Sequence, residues 1–367
     1  ENNIGQGVKM TNYERFVKTI KFELPDRILT YDFVDNRELL ETYGGKGDLI
    51  ERNARMAKNI GLDVMRYIYD PVNHWMGSKI ENWIRFFAVN PDNWEVSQKG
   101  GTAWISKRPF ADLKGLEKNM PNMPQKSEIE KWYKPTIKKI KEIYDEYDVV
   151  FIGSVEGPCT DAYTYSDMEL FCGAIYEAPE LVDHLMECTC RFSEIIAEIF
   201  AENPSAPLMF MGEDVAGKSG LIFSPSFLRR KLLPLWKRIA KPIKDKGFKF
   251  LFHSDGKLAD LLPIVINELK ADGINPIERN GCNDIFQIRE KYPHTLLFGN
   301  VCCEITLPYG TEKDAEEETL ELIRKIGPQG GICIGSSSEV HDLVPARNAL
   351  KMYKVVHKYG VYPIRVL

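Results

Sequence analysis

The stretch "FKFLFHSDGKLADLLP", residues 248–263, carries the pattern that decides the fold. A short apolar run ends in His253-Ser254-Asp255-Gly256 and passes directly into an amphipathic segment of helical period. A histidine and a carboxylate therefore stand where a buried strand meets solvent. Seven further apolar runs of strand length recur along the chain: "RILTYDF" (27–33), "LDVMRYI" (62–68), "DVVFIGS" (148–154), "PLMFMG" (207–212), "ADGINP" (271–276), "TLLFGN" (295–300) and "GGICIGS" (330–336). They alternate with helical periodicity, which indicates parallel βα units. Eight such units predict an α/β chain closed into a (β/α)8 TIM barrel. The barrel is expected as one domain over residues 10–367, with 1–9 as a lead-in.

The later helices carry their own punctuation. Ser224-Pro225 caps and opens a helix with Leu228, Leu232, Leu235, Ile239 and Ile243 on one side, and Gly247 stops it. Thr311 opens "EKDAEEETLELIRKI", whose acidic start and basic end suit the helix dipole. Pro345 opens the last helix and Gly360 closes it. One segment breaks the rhythm. "WEVSQKGGTAWIS" (94–106) alternates around Gly100-Gly101 and reads as a β-hairpin inserted after the second strand. Its aromatic neighbourhood suits either a lid and docking surface or simple packing on the barrel.

Composition narrows the partners. The chain of 367 residues is 44% hydrophobic and 28% charged, with a net charge of −5 and no block of Lys and Arg, which argues against nucleic acid. No apolar stretch approaches the roughly 18–20 residues of a membrane span, so the protein is expected in the cytoplasm, away from membranes. Cys159, Cys172, Cys188, Cys190, Cys282, Cys302, Cys303 and Cys333 are too scattered for a disulfide scaffold and include no CxxC pair, so they read as reduced thiols.

In such a barrel the active site lies at the carboxyl ends of the strands. Reading the residues after each run gives Asp32, Tyr69, Glu156, Glu213, Asp214, His253, Asp255, Asn275, Glu278, Asn300, Cys302, Cys303, Ser336 and Ser337. A lone strand-end acid often caps the next helix, and Asp255 is placed to do so near Lys257. Convergence of all eight ends on one cavity favours chemistry instead.

Several ordered motifs resemble the uroporphyrinogen decarboxylase superfamily, and more narrowly its cobamide-dependent methyltransferase branch. They are "VEGPCTDA" (155–162), "GEDVAGKSGLIFSPSFLRRKLLP" (212–234), "FHSDGKLADLLP" (252–263), "DGINPIE" (272–278), "FGNVCCEITLPYGT" (298–311) and "GSSSEVHDLVPARNALKMYKVVHKYG" (335–360). The resemblance spans about residues 20–362 and implies a (β/α)8 barrel. True decarboxylases of this superfamily carry an arginine-rich segment of the type "MRQAGRY" near the amino end. Here that region is "LPDRILTYDFVDNRELLETYGG" (24–45), poor in arginine and rich in acids, and ill suited to a polyanionic tetrapyrrole. The methyltransferase branch works with a corrinoid bound to a separate small protein. This chain has no Asp-x-His-x-x-Gly motif for a cobalamin of its own, so a corrinoid protein is implied as partner; a homodimer stays open.

Displacement of a methyl group from an ether or amine leaves a poor leaving group, which a Lewis acid or proton donor assists. Thiol-methylating members of the branch hold zinc with His-x-Cys after the fifth strand and Cys after the eighth. This sequence keeps His253, has Asp255 in place of the first Cys, and has Ser336, Ser337 and Ser338 where the second would fall. An oxygen- and nitrogen-rich zinc site is the expectation, with His253, Glu278 and Cys302 as ligands. His253, Asp255, Glu213 and Asp214 are the expected catalytic groups, and Glu156, Asn275, Asn300 and Ser337 the expected substrate contacts. The favoured activity is O-demethylation of a methoxylated, aromatic small molecule, a reaction of anaerobic one-carbon metabolism. Three alternatives of different class remain: methylcobamide-to-thiol or folate transfer, tetrapyrrole decarboxylation, and a non-catalytic tetrapyrrole or corrinoid-protein binder. Within the favoured activity, metal-free proton donation by His253 and the carboxylates also stays open.

Overall fold

The computed structural model describes residues 10–99 and 102–364; the lead-in at 1–9 and the Gly100-Gly101 turn lie outside these. Eight parallel strands form the centre: β1 (Leu29–Asp32), β2 (Val64–Arg66), β3 (Val150–Glu156), β4 (Leu208–Gly212), β5 (Lys249–His253), β6 (Gly273–Asn275), β7 (Leu296–Val301) and β8 (Ile332–Ser336). They close as a barrel in the order β1-β8-β7-β6-β5-β4-β3-β2, with β2 returning to β1. Each of the eight apolar runs supplies one strand. Register aligns His253 with Gly212 of β4 on one side and Asn275 of β6 on the other, so the strand ends stand at one level.

Alternate residues point inward and fill the barrel. Leu29, Tyr31, Val64, Ile152, Phe210, Leu251 and Phe298 form this inner core, and Phe16 and Ile20 of the helix Asn12–Ile20 seal its amino end. Phe298 meets Tyr31 edge-on at 5.0 Å and Phe16 at 6.4 Å. Each such buried side chain contributes about 1.5–3 kcal/mol. The plug leaves the carboxyl end as the open one.

Around the barrel the expected caps form, with two differences. Thr311 makes a capping box with Asp314 ahead of Glu312–Lys325, and Pro345 precedes Ala346–Tyr359. Ser224 accepts a hydrogen bond from the Phe227 amide, but the helix it opens is interrupted by a π-turn at Leu228–Leu232 before Leu233–Asp245 continues it. After β5 the expected amphipathic helix shrinks to the π-helical turn Pro263–Glu268. Gly256 explains part of this: it adopts φ +87°, and a Cβ there would stand 2.7 Å from the Gly217 backbone. Asp255 is not a cap either: the Lys257 amide donates to the Gly217 carbonyl and the Leu258 amide to Asn283 Oδ1, both at 2.9 Å, while the Gly256 amide donates to Glu278 Oε2 at 2.7 Å.

After β2 and the helix His74–Phe87, Glu95–Lys99 pairs antiparallel with Thr102–Lys107. Trp94 sits 5.5 Å from Trp83 and 5.4 Å from Tyr165, so this aromatic packs on the barrel's helices, while Trp104 is 42% exposed. No helix among the described residues is long and apolar enough to cross a membrane.

A buried ion pair ties β1 to β2. Arg27 donates through both terminal nitrogens to Asp63 at 2.5 and 2.8 Å, and Asp63 also accepts from the Thr30 amide at 3.0 Å. Burial alone would raise Asp63, but Arg27 and His357 outweigh it and hold the carboxyl well below its usual range. A depressed folded-state value adds stability above the unfolded value of about 3.9, lost as pH falls through the folded one. Asp63→Asn is therefore expected to cost about 3–5 kcal/mol in urea unfolding at pH 7. The difference from wild type should shrink below about pH 4; a pH-independent difference would contradict this account.

Candidate functional site

Where β4 and β5 end, Asp214, His253 and Asp255 meet in a cavity of about 400 Å³ in the barrel mouth. One donor atom from each lies within 4.8 Å of the others. His253 Nε2 stands 3.4 Å from Asp214 Oδ1 and 3.6 Å from Asp255 Oδ1. The imidazole is 6% exposed, set deeper than a loop position would be, with its ring 5.2 Å from Phe210. Its other nitrogen fixes the tautomer: Nδ1–H donates to Asn275 Oδ1 at 2.8 Å, and Asn275 Nδ2 donates to the Phe298 carbonyl at 2.8 Å. Nε2 is left facing the two carboxylates, carrying a proton there unless a metal takes its lone pair.

The charges are tightly coupled. Burial disfavours the imidazolium, but Asp255 and Asp214 outweigh it and hold His253 up at about 9. Burial pushes Asp255 up to about 7, while the hydrogen bond with His253 overcomes burial and holds Asp214 below the carboxylate range. Asp255 Oδ1 has no hydrogen-bond partner among the described residues. A dication answers all of this at once, replacing protons and occupying Oδ1 and Nε2. The 3.4 and 3.6 Å separations are close to the roughly 3.3 Å edge of a tetrahedron with ligands at about 2.0 Å. The donor set fits zinc.

The structure distributes the sequence candidates unevenly. Glu278 lines the cavity, where burial raises it, but lies outside the three-donor cluster because its Oε2 holds Gly256. Cys302 does not line the cavity; its sulfur lies 3.9 Å from Asn280 Nδ2, and its neighbour Cys303 faces in, with a thiol that burial pushes up to about 12. Ser337 holds Cys303, with its Oγ 3.2 Å from the sulfur. Asn300 Oδ1 pins the loop after β6 by accepting from the Ile277 amide at 2.9 Å. Asn275 orients His253. Glu156 lines the cavity and pairs with Lys79 at 3.0 Å.

Glu213 faces away from the cavity. It is fully buried and accepts from the Cys159 and Thr160 amides at 3.2 and 2.9 Å and from Trp236 Nε1 at 2.8 Å, capping the helix Pro158–Ser166 from a neighbouring strand. Burial pushes it up to about 7 even so. Asp32, also buried, braces the wall by accepting from Ser336 and from the Tyr353 hydroxyl at 2.8 Å. Tyr69 and Ser336 are likewise absent from the cavity lining.

Sequence reasoning missed three groups. Arg66, the inward-pointing last residue of β2, has its guanidinium 4.0 Å over the Phe210 ring and 4.7 Å over Phe33, and donates to the Tyr31 hydroxyl at 3.0 Å. A lone arginine at an inward alternate of "LDVMRYI" was the signal for it. Glu339, pushed up to about 8 by burial, follows the serine run at β8. Lys79 reaches in from the helix His74–Phe87 between Glu156 and Asp161, which hold it raised despite burial; nothing local in the sequence marks it.

Residues 95–359 match the family described as Uroporphyrinogen decarboxylase (URO-D). The chain belongs to this family. No curated protein matches it in sequence. Among solved structures, a methyltransferase from Methanosarcina mazei superposes with a TM-score of 0.72 at 18% identity, covering 95% of this chain and 99% of that one. A sugar phosphate isomerase/epimerase from Parabacteroides distasonis reaches 0.41 at 11% identity, over 93% and 98% of the two chains. The first shares the family's barrel almost end to end.

Glu213 and Asp214 are adjacent yet serve opposite sides of the β4 end, which a pair of substitutions separates. Glu213→Ala is expected to lower stability by about 3 kcal/mol through unpaired amides and a cavity. Asp214→Asn should leave the melting temperature within a few degrees and weaken zinc binding instead. Calorimetric melting and zinc titration check both; equal zinc loss in the two variants would put Glu213 back into the site.

Proposed function

We propose that this chain is a methyltransferase that takes a methyl group from a methoxylated small molecule and passes it to the cobalt of a corrinoid held by a separate protein. The observation that carries this reading is the Asp214–His253–Asp255 cluster in an acidic cavity. Six carboxyl groups line that cavity, Glu156, Asp214, Asp255, Glu278, Glu304 and Glu339, against Arg66 and His253. A tetrapyrrole bearing many carboxylates would meet like charge there. Arg27, in the segment where decarboxylases place their substrate arginines, is already committed to Asp63. The structural neighbour from Methanosarcina mazei is a methyltransferase, which agrees with this reading.

Zinc held by Asp214, His253 and Asp255 would supply Lewis acidity at the ether oxygen. Asn275 keeps His253 Nε2 aimed at that point. The C–O bonding pair stays on oxygen as the methyl group leaves with the cobalt(I) pair, so the oxygen needs a proton. Glu339, protonated near neutral pH because burial pushes it up to about 8, lines the cavity and can give one. Arg66, fixed by Tyr31 and Phe210, puts a permanent positive charge on the wall facing the developing phenolate. Absence of a thiol from the cluster weighs against the thiol-methylating form. The raised value of His253 supports the metal-free reading, in which its imidazolium is the proton donor, and metal content decides between the two.

A corrinoid-protein partner would dock on the rim. Val72, Ile222, Ile305, Tyr309 and Leu343 follow the carboxyl ends of β2, β4, β7 and β8, and are 90%, 42%, 56%, 72% and 42% exposed. Apolar side chains set around a polar cavity suit a protein partner.

The purified chain is expected to hold one zinc and to methylate a cobalt(I) corrinoid from methoxyarenes. His253→Gln should lower that rate at least about a hundredfold with little change in melting temperature. A metal-free, fully active chain overturns the zinc assignment in favour of the imidazolium, and normal turnover by His253→Gln overturns both. Tyr309→Glu should raise the KM for the corrinoid protein about tenfold and leave zinc content unchanged; an unaltered KM removes this rim from the docking surface.

A further inference from the structure

Two more chambers adjoin the cluster cavity on the flank of the barrel. Phe33, Arg66, Trp75 and Glu156 line both that cavity and a neck of about 220 Å³. Tyr67, Ser78, Tyr133, Ser154 and Ile196 line both the neck and an inner chamber of about 300 Å³. The chamber lies between β3 and the helices Lys126–Glu146 and Pro179–Glu202, with walls of Ile137, Ile140, Phe151, Phe200 and Met209. Trp132, 41% exposed, stands at its outer end.

Polar groups interrupt these apolar walls: Asp70, Ser78, Tyr133, Thr136 and Ser205 also line the chamber, and the Thr136 and Ser205 hydroxyls donate to the Trp132 and Phe151 carbonyls. Two further hydroxyls stand apart. Tyr67 Oη and Ser154 Oγ are buried; Ser154 Oγ has no hydrogen-bond partner among the described residues, and Tyr67 Oη has only the neighbouring Ser78 side chain close to it, without the geometry of a formed hydrogen bond. Buried hydroxyls are normally paired, because desolvation is otherwise uncompensated. Their position is also telling: Ser154 and Glu156 are alternate residues of β3, so they share one face of the strand, and Glu156 belongs to the cluster cavity.

We propose that this passage binds the body of the methyl donor. A methoxybenzene would lie with its methoxy group in the cluster cavity, its ring in the neck beside Phe33, Trp75 and the Arg66 guanidinium, and a hydrogen-bonding ring substituent in the inner chamber between Tyr67 Oη and Ser154 Oγ. The Phe33 and Trp75 rings suit a ring face, the Lys79 charge in the neck is neutralised by Glu156 and Asp161, and the two hydroxyls select donors that carry a polar group on the side away from the ether. The proposal rests on the methyl-transfer reading above and names its substrate class.

Binding of 4-methoxyphenol and of anisole, which lacks the second polar group, is measured calorimetrically on the full chain, beside steady-state methyl transfer to the corrinoid protein. Wild type is expected to bind 4-methoxyphenol about tenfold more tightly than anisole. The Tyr67→Phe/Ser154→Ala double variant should abolish that preference. Ile137→Trp, which fills the chamber from its partly exposed wall, should weaken 4-methoxyphenol about tenfold and tests the site even if the double variant fails to fold. No preference in wild type, or binding indifferent to Ile137→Trp, overturns the proposal while leaving methyl transfer itself intact. The expected binding pattern without any methyl transfer upholds the site and sinks the activity.

Discussion

Pairing of β1 with β8 is the contact on which the rest depends, because it converts a curved sheet with two free edges into a barrel with one mouth. Leu29 faces Cys333 and Thr30 faces Ile334 across that seam. The seam is locked from outside the barrel by Asp32, which accepts from the Ser336 amide at 3.1 Å, from the Ser336 hydroxyl, and from Tyr353 at 2.8 Å. Burial pushes Asp32 up to about 7, so its three donors are what make a charged group tolerable there. Asp63 performs the same service between β1 and β2. Closed in this way, the barrel has no unpaired edge strand, and eight strand ends are forced to share one cavity.

That convergence creates the chemistry. Acids that would be ordinary on separate surface loops are brought within a few ångströms of one another and half removed from water, and their proton affinities rise: Asp255 to about 7 and Glu339 to about 8. Stability is given up for this, since paired like charges resist burial. Two neighbours limit the loss. His253 is held against Asp214 and Asp255 as their counter-charge, and Arg66 lies flat on Phe210 and Phe33 as a fixed one. A site so arranged is poised for a cation or for a substrate that takes up a proton. The plugged amino end and the tight inner core keep it there, because strands anchored by Phe16, Tyr31 and Phe298 cannot slide to dissipate the crowding.

Much of this was legible in the sequence. Each of the eight apolar runs became a strand, and Thr311, Ser224 and Pro345 stand where the helices begin, because strand period, proline and capping residues act over a few neighbours. The helix after β5 failed because its length was set by contact, Gly256 pressing on the Gly217 backbone, and not by the amphipathic period of its own residues. Asp255 was free to enter the site because the Lys257 and Leu258 amides it was placed to cap found distant partners, the Gly217 carbonyl and Asn283 Oδ1.

The sequence by itself determined the barrel, the level at which its site lies and the pool of residues at that level, since these follow from local periodicity and from the rule that parallel strands present their carboxyl ends together. Only the tertiary structure decided which members of the pool meet. Glu213 and Asp214 differ by one position, yet the first turns out to cap Pro158–Ser166 and the second turns in to His253. Cys302 and Cys303 divide in the same way. Lys79 comes from a helix that no strand-end reading inspects. The reason is physical: beyond the last residue of a strand the period of two no longer applies, and a side chain's direction is set by the twist of the neighbouring strand, the course of the loop and the nearest unpaired donor, all of which come from parts of the chain far away in sequence.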